Sequence, residues 1–299
     1  MALFLCQNAI ATVVDLSGAP AYPAIYRPVE SPPATTTPDL VLLGIDLVEI
    51  TVALGMADHI LARPARVDLP GIANTPHKIR DWAGVEGVLA LRPGKVVGSS
   101  VVNIKLLNGL QPFGITTKMV DRTLPAREKI RRMAALLGHP ERGEALVASL
   151  DQDYREAQTF RLPGQRPLRL MHLSRIGAGN HFTAGGRGTA VDNLIRRVGA
   201  INATAEIGND RYTPITPEGI IAAAPDVIIV SVDELPALGG ADTIWATVPG
   251  LNMTPAGRQH NLIIMRDLQV RADAASSGIA TRTLAKALKD MVSDDHHSL

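Results

Sequence analysis

A chain of 299 residues, 46% of them hydrophobic, is long enough for one large domain or two ordinary ones and too apolar for global disorder. Its 30 basic and 29 acidic residues leave a formal charge of +1, which excludes the basic footprint of a nucleic-acid binder. The single cysteine, Cys6, excludes an internal disulfide framework and any multi-cysteine zinc or iron–sulfur site, and no apolar run is long enough to span a membrane.

The opening "MALFLCQNAIATVVDLSG" has no Lys or Arg before its apolar part and no small residue just ahead of Cys6. It reads as a short strand or a processed terminus rather than a secretory or lipoprotein leader. The Pro- and Thr-rich stretch 28–38 reads as an arm or linker. "LVLLG" (40–44) is a short buried strand and "DLVEITVALG" (46–55) a helix stopped at Gly55. Segment 56–82, rich in Pro, Gly and basic residues, reads mostly as loop.

"VEGVLALRPGKVVG" (85–98) comes next, and "PEGIIAAAPDVIIV" (217–230) repeats its pattern after a shift of 132 residues. The shift places Glu86 on Glu218, Gly87 on Gly219, Ala90 on Ala222 and Pro93 on Pro225. Each copy reads as a short helix, broken by its proline, feeding a β-branched strand. Gly84 and Thr216 are the N-cap candidates. Two helices, 125–138 and 141–160, separate the copies, and "LRLMHLS" (168–174) begins a new strand. Thr189 and Asp192 resemble a capping box for a helix over "TAVDNLIRRVG".

The expected fold is therefore α/β: two Rossmann-like lobes with mainly parallel sheets, joined by one long α-helix. The boundaries are an N-terminal arm (1–38), an N-terminal lobe (39–138), a linking helix (139–162) and a C-terminal lobe (163–299).

From about residue 40 to 290 the sequence resembles the periplasmic haem-binding proteins of bacterial ABC importers, in the group whose lobes share a rigid helix. The resemblance rests on the order and spacing of "GIDLVEITVALG", "VEGVLALRP", "TAGGRGTAVDNLIRRVGAIN", "YTPITPEGIIAAAPDVIIV" and "VPGLNMTPAGR". It implies a monomeric extracytoplasmic protein without catalysis, which captures haem b in an inter-lobe cleft with little closure and passes it to a permease dimer. Glu86 and Glu218 match the docking glutamates of such proteins, and the first turn of a helix is a favourable place for a carboxylate. Contact with the membrane would come through the transporter, or through an anchor not seen in this sequence.

Haem needs an axial donor, an apolar slot and cations for its propionates. The family's usual N-lobe Tyr is absent, since no Tyr lies between residues 27 and 153. His77 in "NTPHKIRDW" is then the first candidate ligand, with Lys78 and Arg80 adding positive charge. His181 and Tyr212 are the alternatives from the other lobe, and Arg211 and Arg271 are the propionate candidates. His172, within an apolar strand, reads as core.

Cobalamin or a ferric siderophore are alternative ligands for the same architecture. A nucleotide-binding α/β enzyme is the rival from another class, but "RIGAGNHFTAGGRG" fits neither phosphate-loop pattern, and GxSxG, HExxH and CxxC are all missing.

Overall fold

The computed structural model describes residues 12–26, 37–80, 83–99, 102–160, 164, 166–175 and 181–297. The chain divides into two compact units. The N-unit comprises Pro20–Arg155 and Ala272–Ile279; the C-unit takes the described residues of Met1–Ala19, Glu156–Arg271 and Ala280–Leu299.

Twelve strands carry the fold: β1 (Val13–Asp15), β2 (Leu40–Leu42), β3 (Ile60–Pro64), β4 (His77–Ile79), β5 (Lys95–Gly98), β6 (Thr116–Met119), β7 (Arg169–Arg175), β8 (Phe182–Gly185), β9 (Ile201–Asn202), β10 (Tyr212–Pro214), β11 (Val227–Ser231) and β12 (Leu262–Met265). In the N-unit a wholly parallel sheet runs β4-β3-β2-β5-β6. Its central strands are buried apolar runs, as a sheet covered on both faces requires. In the C-unit the order is β1-β12-β11-β7-β8-β10, with β9 also on β7. There β8 and β10 run antiparallel and the other pairings are parallel.

Two strands, β3 and β4, lie in the segment expected to be mostly loop. Strand β3, "ILARP", hides a cation inside an apolar pattern. Arg63 is buried because its guanidinium donates to the carbonyls of Pro64 (3.2 Å), Val67 (3.1 Å) and Ile72 (3.5 Å). The following turn thus supplies the partners that a buried guanidinium needs. Residues 13–15 also form a strand, β1, on the outer edge of the C-unit sheet.

The helices fall close to expectation, at Ile45–Ala53, Val85–Leu89, Ala126–Leu136, Pro140–Thr159, Ala190–Arg197 and Pro217–Ala223. Thr189 Oγ1 accepts from the Asp192 N–H (3.2 Å) and Thr216 Oγ1 from the Gly219 N–H (3.2 Å), so both caps form. The repeated phrase is one structural unit used twice. The Arg92 N–H donates to the Leu89 carbonyl (2.9 Å) as the Ala224 N–H does to that of Ile221 (3.1 Å). Arg92 (φ 52°) and Ala224 (φ 43°) are both left-handed. A left-handed helix stop costs a Cβ-bearing residue energy that Gly avoids. Ala224→Gly is therefore expected to stabilise the protein by about 0.5–1 kcal/mol, read as a higher urea midpoint.

The segment Ala272–Ile279 docks into the N-unit at the start of the helix Ser277–His297. Glu49 Oε1 accepts the Ser276 N–H, and the Tyr154 hydroxyl lies 2.7 Å from Ser277 Oγ. Glu49 is wholly buried, and burial raises its carboxyl to about 8 against the opposing pull of the Ser276 hydrogen bonds and Lys129. Lys129 is itself buried and pairs with Asp46 at 3.2 Å.

Candidate functional site

Side chains at the C-terminal ends of parallel strands face the crevice in which α/β proteins hold ligands. In the N-unit that edge carries a small cavity of about 20 Å³, room for one water, lined by Leu43, Pro64, Ile79, Arg80, Asn103 and Leu106, with Ala83 beside them. Asn103 Oδ1 accepts the Ser99 N–H (2.9 Å), which fixes the turn after β5. Gly98 leaves room for that turn, since a Cβ there would lie 3.0 Å from Asn103 Cβ and 3.1 Å from Leu43 Cδ1. Around the same edge Val102, Ile104 and Met119 are exposed, to 61%, 44% and 38%. These apolar residues were not singled out from sequence, although the run "VVNI" straight after a buried strand was the available signal.

Arg80 thus lines the cavity at the end of β4. His77 does not: it begins β4, on the outer edge of the sheet, and like Lys78 its side chain is exposed. The two candidate groups lie at opposite ends of one short strand and do not share a pocket.

In the C-unit, Arg271 ties the corresponding edge together. Its Nη2 donates to Glu234 Oε1 (2.5 Å) and Ser174 Oγ (2.8 Å), and its Nε to Asp267 Oδ1 (2.7 Å). Its guanidinium also lies 5.4 Å from the centre of the Tyr212 ring. Ser174 Oγ in turn donates to Glu234 Oε1 (2.8 Å). The cation expected for a propionate is therefore engaged with two carboxylates of its own unit.

The Tyr212 hydroxyl oxygen is buried. The ring meets His172 edge-on at 5.7 Å, and His172 is fully buried, as expected of core. Neither ring nitrogen of His172 has a hydrogen-bond partner among the described residues. Burial, and then the charge of Arg271, lower its pKa to about 3, so the imidazole is neutral throughout the physiological range.

His181 immediately precedes β8, whose first residue pairs with Arg175 at the C-terminal end of β7, and it is exposed. The loop before it, 176–180, lies outside the described residues. The glycines after β8 serve packing. A Cβ on Gly186 would overlap the Asn209 carbonyl oxygen, and the Gly186 N–H donates to the Arg211 carbonyl (2.7 Å). Arg211 is exposed in a left-handed turn (φ 59°), with Nη1 3.5 Å from the Gly188 carbonyl. Glu86 and Glu218 stand exposed in the first turns of their helices, and neither makes an ion pair among the described residues. Also among the described residues, no three His, Cys, Asp or Glu side chains gather in a metal-binding group, and no helix is long and apolar enough to cross a membrane.

Residues 40–268, spanning both sheets apart from β1, match the periplasmic binding protein family. The chain is a periplasmic binding protein. Among solved structures of such proteins, the haem-binding protein RhuT from Roseiflexus sp. RS-1 is 30% identical. It superposes with a TM-score of 0.73 over 85% of this chain and 98% of that one. The haem-binding protein BhuT, solved with two haems, is also 30% identical, with a TM-score of 0.75 over 84% and 97%. The vitamin B12-binding protein of Photorhabdus laumondii is 23% identical over 198 residues, 64% of this chain and 70% of that one.

Proposed function

We propose that this periplasmic binding protein captures haem outside the cytoplasm and delivers it, without chemical turnover, to the permease dimer of an ABC importer. The observation that carries the reading is the 30% identity to RhuT, a haem-binding protein matched over 98% of its length. The N-unit edge suits such a ligand: Val102, Ile104 and Met119 offer apolar surface to a porphyrin, and Arg80 a cation for a propionate. Haem b is the form proposed, as transported ligand.

His77 is the first proposed axial donor and His181 the alternative, because both imidazoles reach solvent. The buried hydroxyl of Tyr212 favours His181 within the C-unit. Arg211, whose side chain is exposed, is the better propionate partner there than Arg271. Glu86 and Glu218 are the proposed docking points on the permease.

Titrating the purified protein with hemin tests the reading. A saturable Soret shift with near-stoichiometric binding is expected, and no shift at micromolar hemin would overturn it. Loss of the donor's ligand-field signature in His181→Ala or His77→Ala identifies the axial residue. An unchanged spectrum in both would remove the two histidines from the site.

The relationship to vitamin B12-binding proteins supports one other ligand class, cobalamin. A parallel titration with cyanocobalamin separates the two, since the reading requires hemin to bind far more tightly.

A further inference from the structure

The helix Pro217–Ala223 presents more than a carboxylate. Glu218 and Ile221 are three residues apart and so share one face, and Ile221 is 37% exposed. A turn of 3₁₀ helix, Leu251–Met253, packs against this helix and leaves Met253 60% exposed. That exposure is built in. Gly250 takes a left-handed φ of 86°, and a Cβ on it would come within 2.8 Å of the Pro217 carbonyl oxygen. Leu251 is wholly buried, and Arg258 Nη1 donates to the Met253 carbonyl at 2.8 Å. The turn thus holds a thioether beside the helix that bears Glu218.

The repeat makes the comparison sharper. In the N-unit the residue matching Ile221 is Leu89, which packs partly against the core instead of standing out. The exposure of Ile221, joined by Met253 from the neighbouring turn, therefore sets the C-unit copy apart. A solvent-exposed ion pair alone contributes little to association, whereas one ringed by buried apolar groups is shielded from water. Exposed apolar groups beside an unpaired surface carboxylate suit a contact surface.

We propose that Glu218, Ile221 and Met253 form one amphipathic docking face on the C-unit. Its partner is the membrane subunit of the importer, presenting a basic side chain flanked by apolar ones. Glu218 supplies the charge complementarity and the other two the buried area. The proposal rests on the delivery role above, but it concerns residues with no part in ligand binding.

The test measures binding of ligand-free protein to the source organism's importer, purified with its ATPase and embedded in lipid nanodiscs. Met253→Asp is expected to weaken binding about tenfold, and Ile221→Asn to weaken it by a similar factor. Hemin titration and melting temperature are expected to stay at wild-type values in both. Met253→Ser serves as a second, milder variant. If Met253→Asp binds within about twofold of wild type while Glu218→Lys binds poorly, the apolar half of the face is overturned and the docking glutamate stands. If neither variant matters, both fall. Failure of the hemin titration alone would overturn the ligand and leave the docking face intact.

Discussion

Glu49→Gln removes most of the loss of stability that the wild-type protein shows between pH 5 and pH 9. The carboxyl sits in the core of the N-unit with its pKa raised to about 8, first by burial and to a lesser degree by Asp46. The Ser276 hydrogen bonds and Lys129 work the other way without reversing the shift. The folded state therefore holds this proton more tightly than the unfolded chain, in which a glutamate titrates near pH 4.5. Stability from this group is complete below that value and falls as pH rises toward 8, after which the loss levels off. A shift of this size corresponds to roughly 3–5 kcal/mol. Glutamine keeps an acceptor for the Ser276 N–H and cannot ionise, so its urea midpoint should change little over the same range. A wild-type midpoint that is flat from pH 5 to 9, or one that falls equally in Glu49→Gln, would show that the carboxylate is not held neutral.

Arg271→Met should destabilise the C-unit by about 3 kcal/mol, because it strands carboxylates that the fold has partly withdrawn from water. The side chains of Arg271, Glu234 and Asp267 are only 25%, 20% and 30% exposed. The cluster joins the end of β7, the loop after β11 and the segment after β12, so its loss loosens three chain segments. In a Glu234→Gln background the same substitution should cost at least about 1 kcal/mol less, since one stranded charge is already gone. Chemical denaturation of the four proteins in the cycle gives the answer, and purely additive effects would refute the coupling. Hemin titration of Arg271→Lys adds a separate reading: the charge survives but the fork does not. A network that shapes the unit predicts lower stability with an unchanged Soret spectrum.

Apolar patterning carried the architecture further than the site. Buried strands such as β11 are runs of β-branched residues, and proline, glycine and threonine mark the helix ends beside them. The doubled phrase was legible as a short helix ended before its proline, while the left-handed stops at Arg92 and Ala224 emerged only from the backbone. Strands β3 and β4 were not, because the partners of Arg63 are carbonyls brought round by a later turn, which composition does not record. The same limit applies to the site. A loop histidine and a strand-initial histidine look alike in sequence, and nothing in "RYTP" says that the phenol points inward. The commitment of Arg271 to Glu234 and Asp267 depends on contacts across 37 and 4 positions, and only the short one is visible as helical spacing.

The threading of the chain has a consequence for its synthesis. Val13 in β1 pairs in register with Leu262 in β12, so the first of the described strands waits for the last. The N-unit likewise lacks Ala272–Ile279, the segment that covers Glu49, until most of the polypeptide exists. Closing such distant contacts is slow, and neither unit can finish before residues 262–279 are available. A fragment cut at the middle of the sequence would yield two incomplete pieces rather than two lobes.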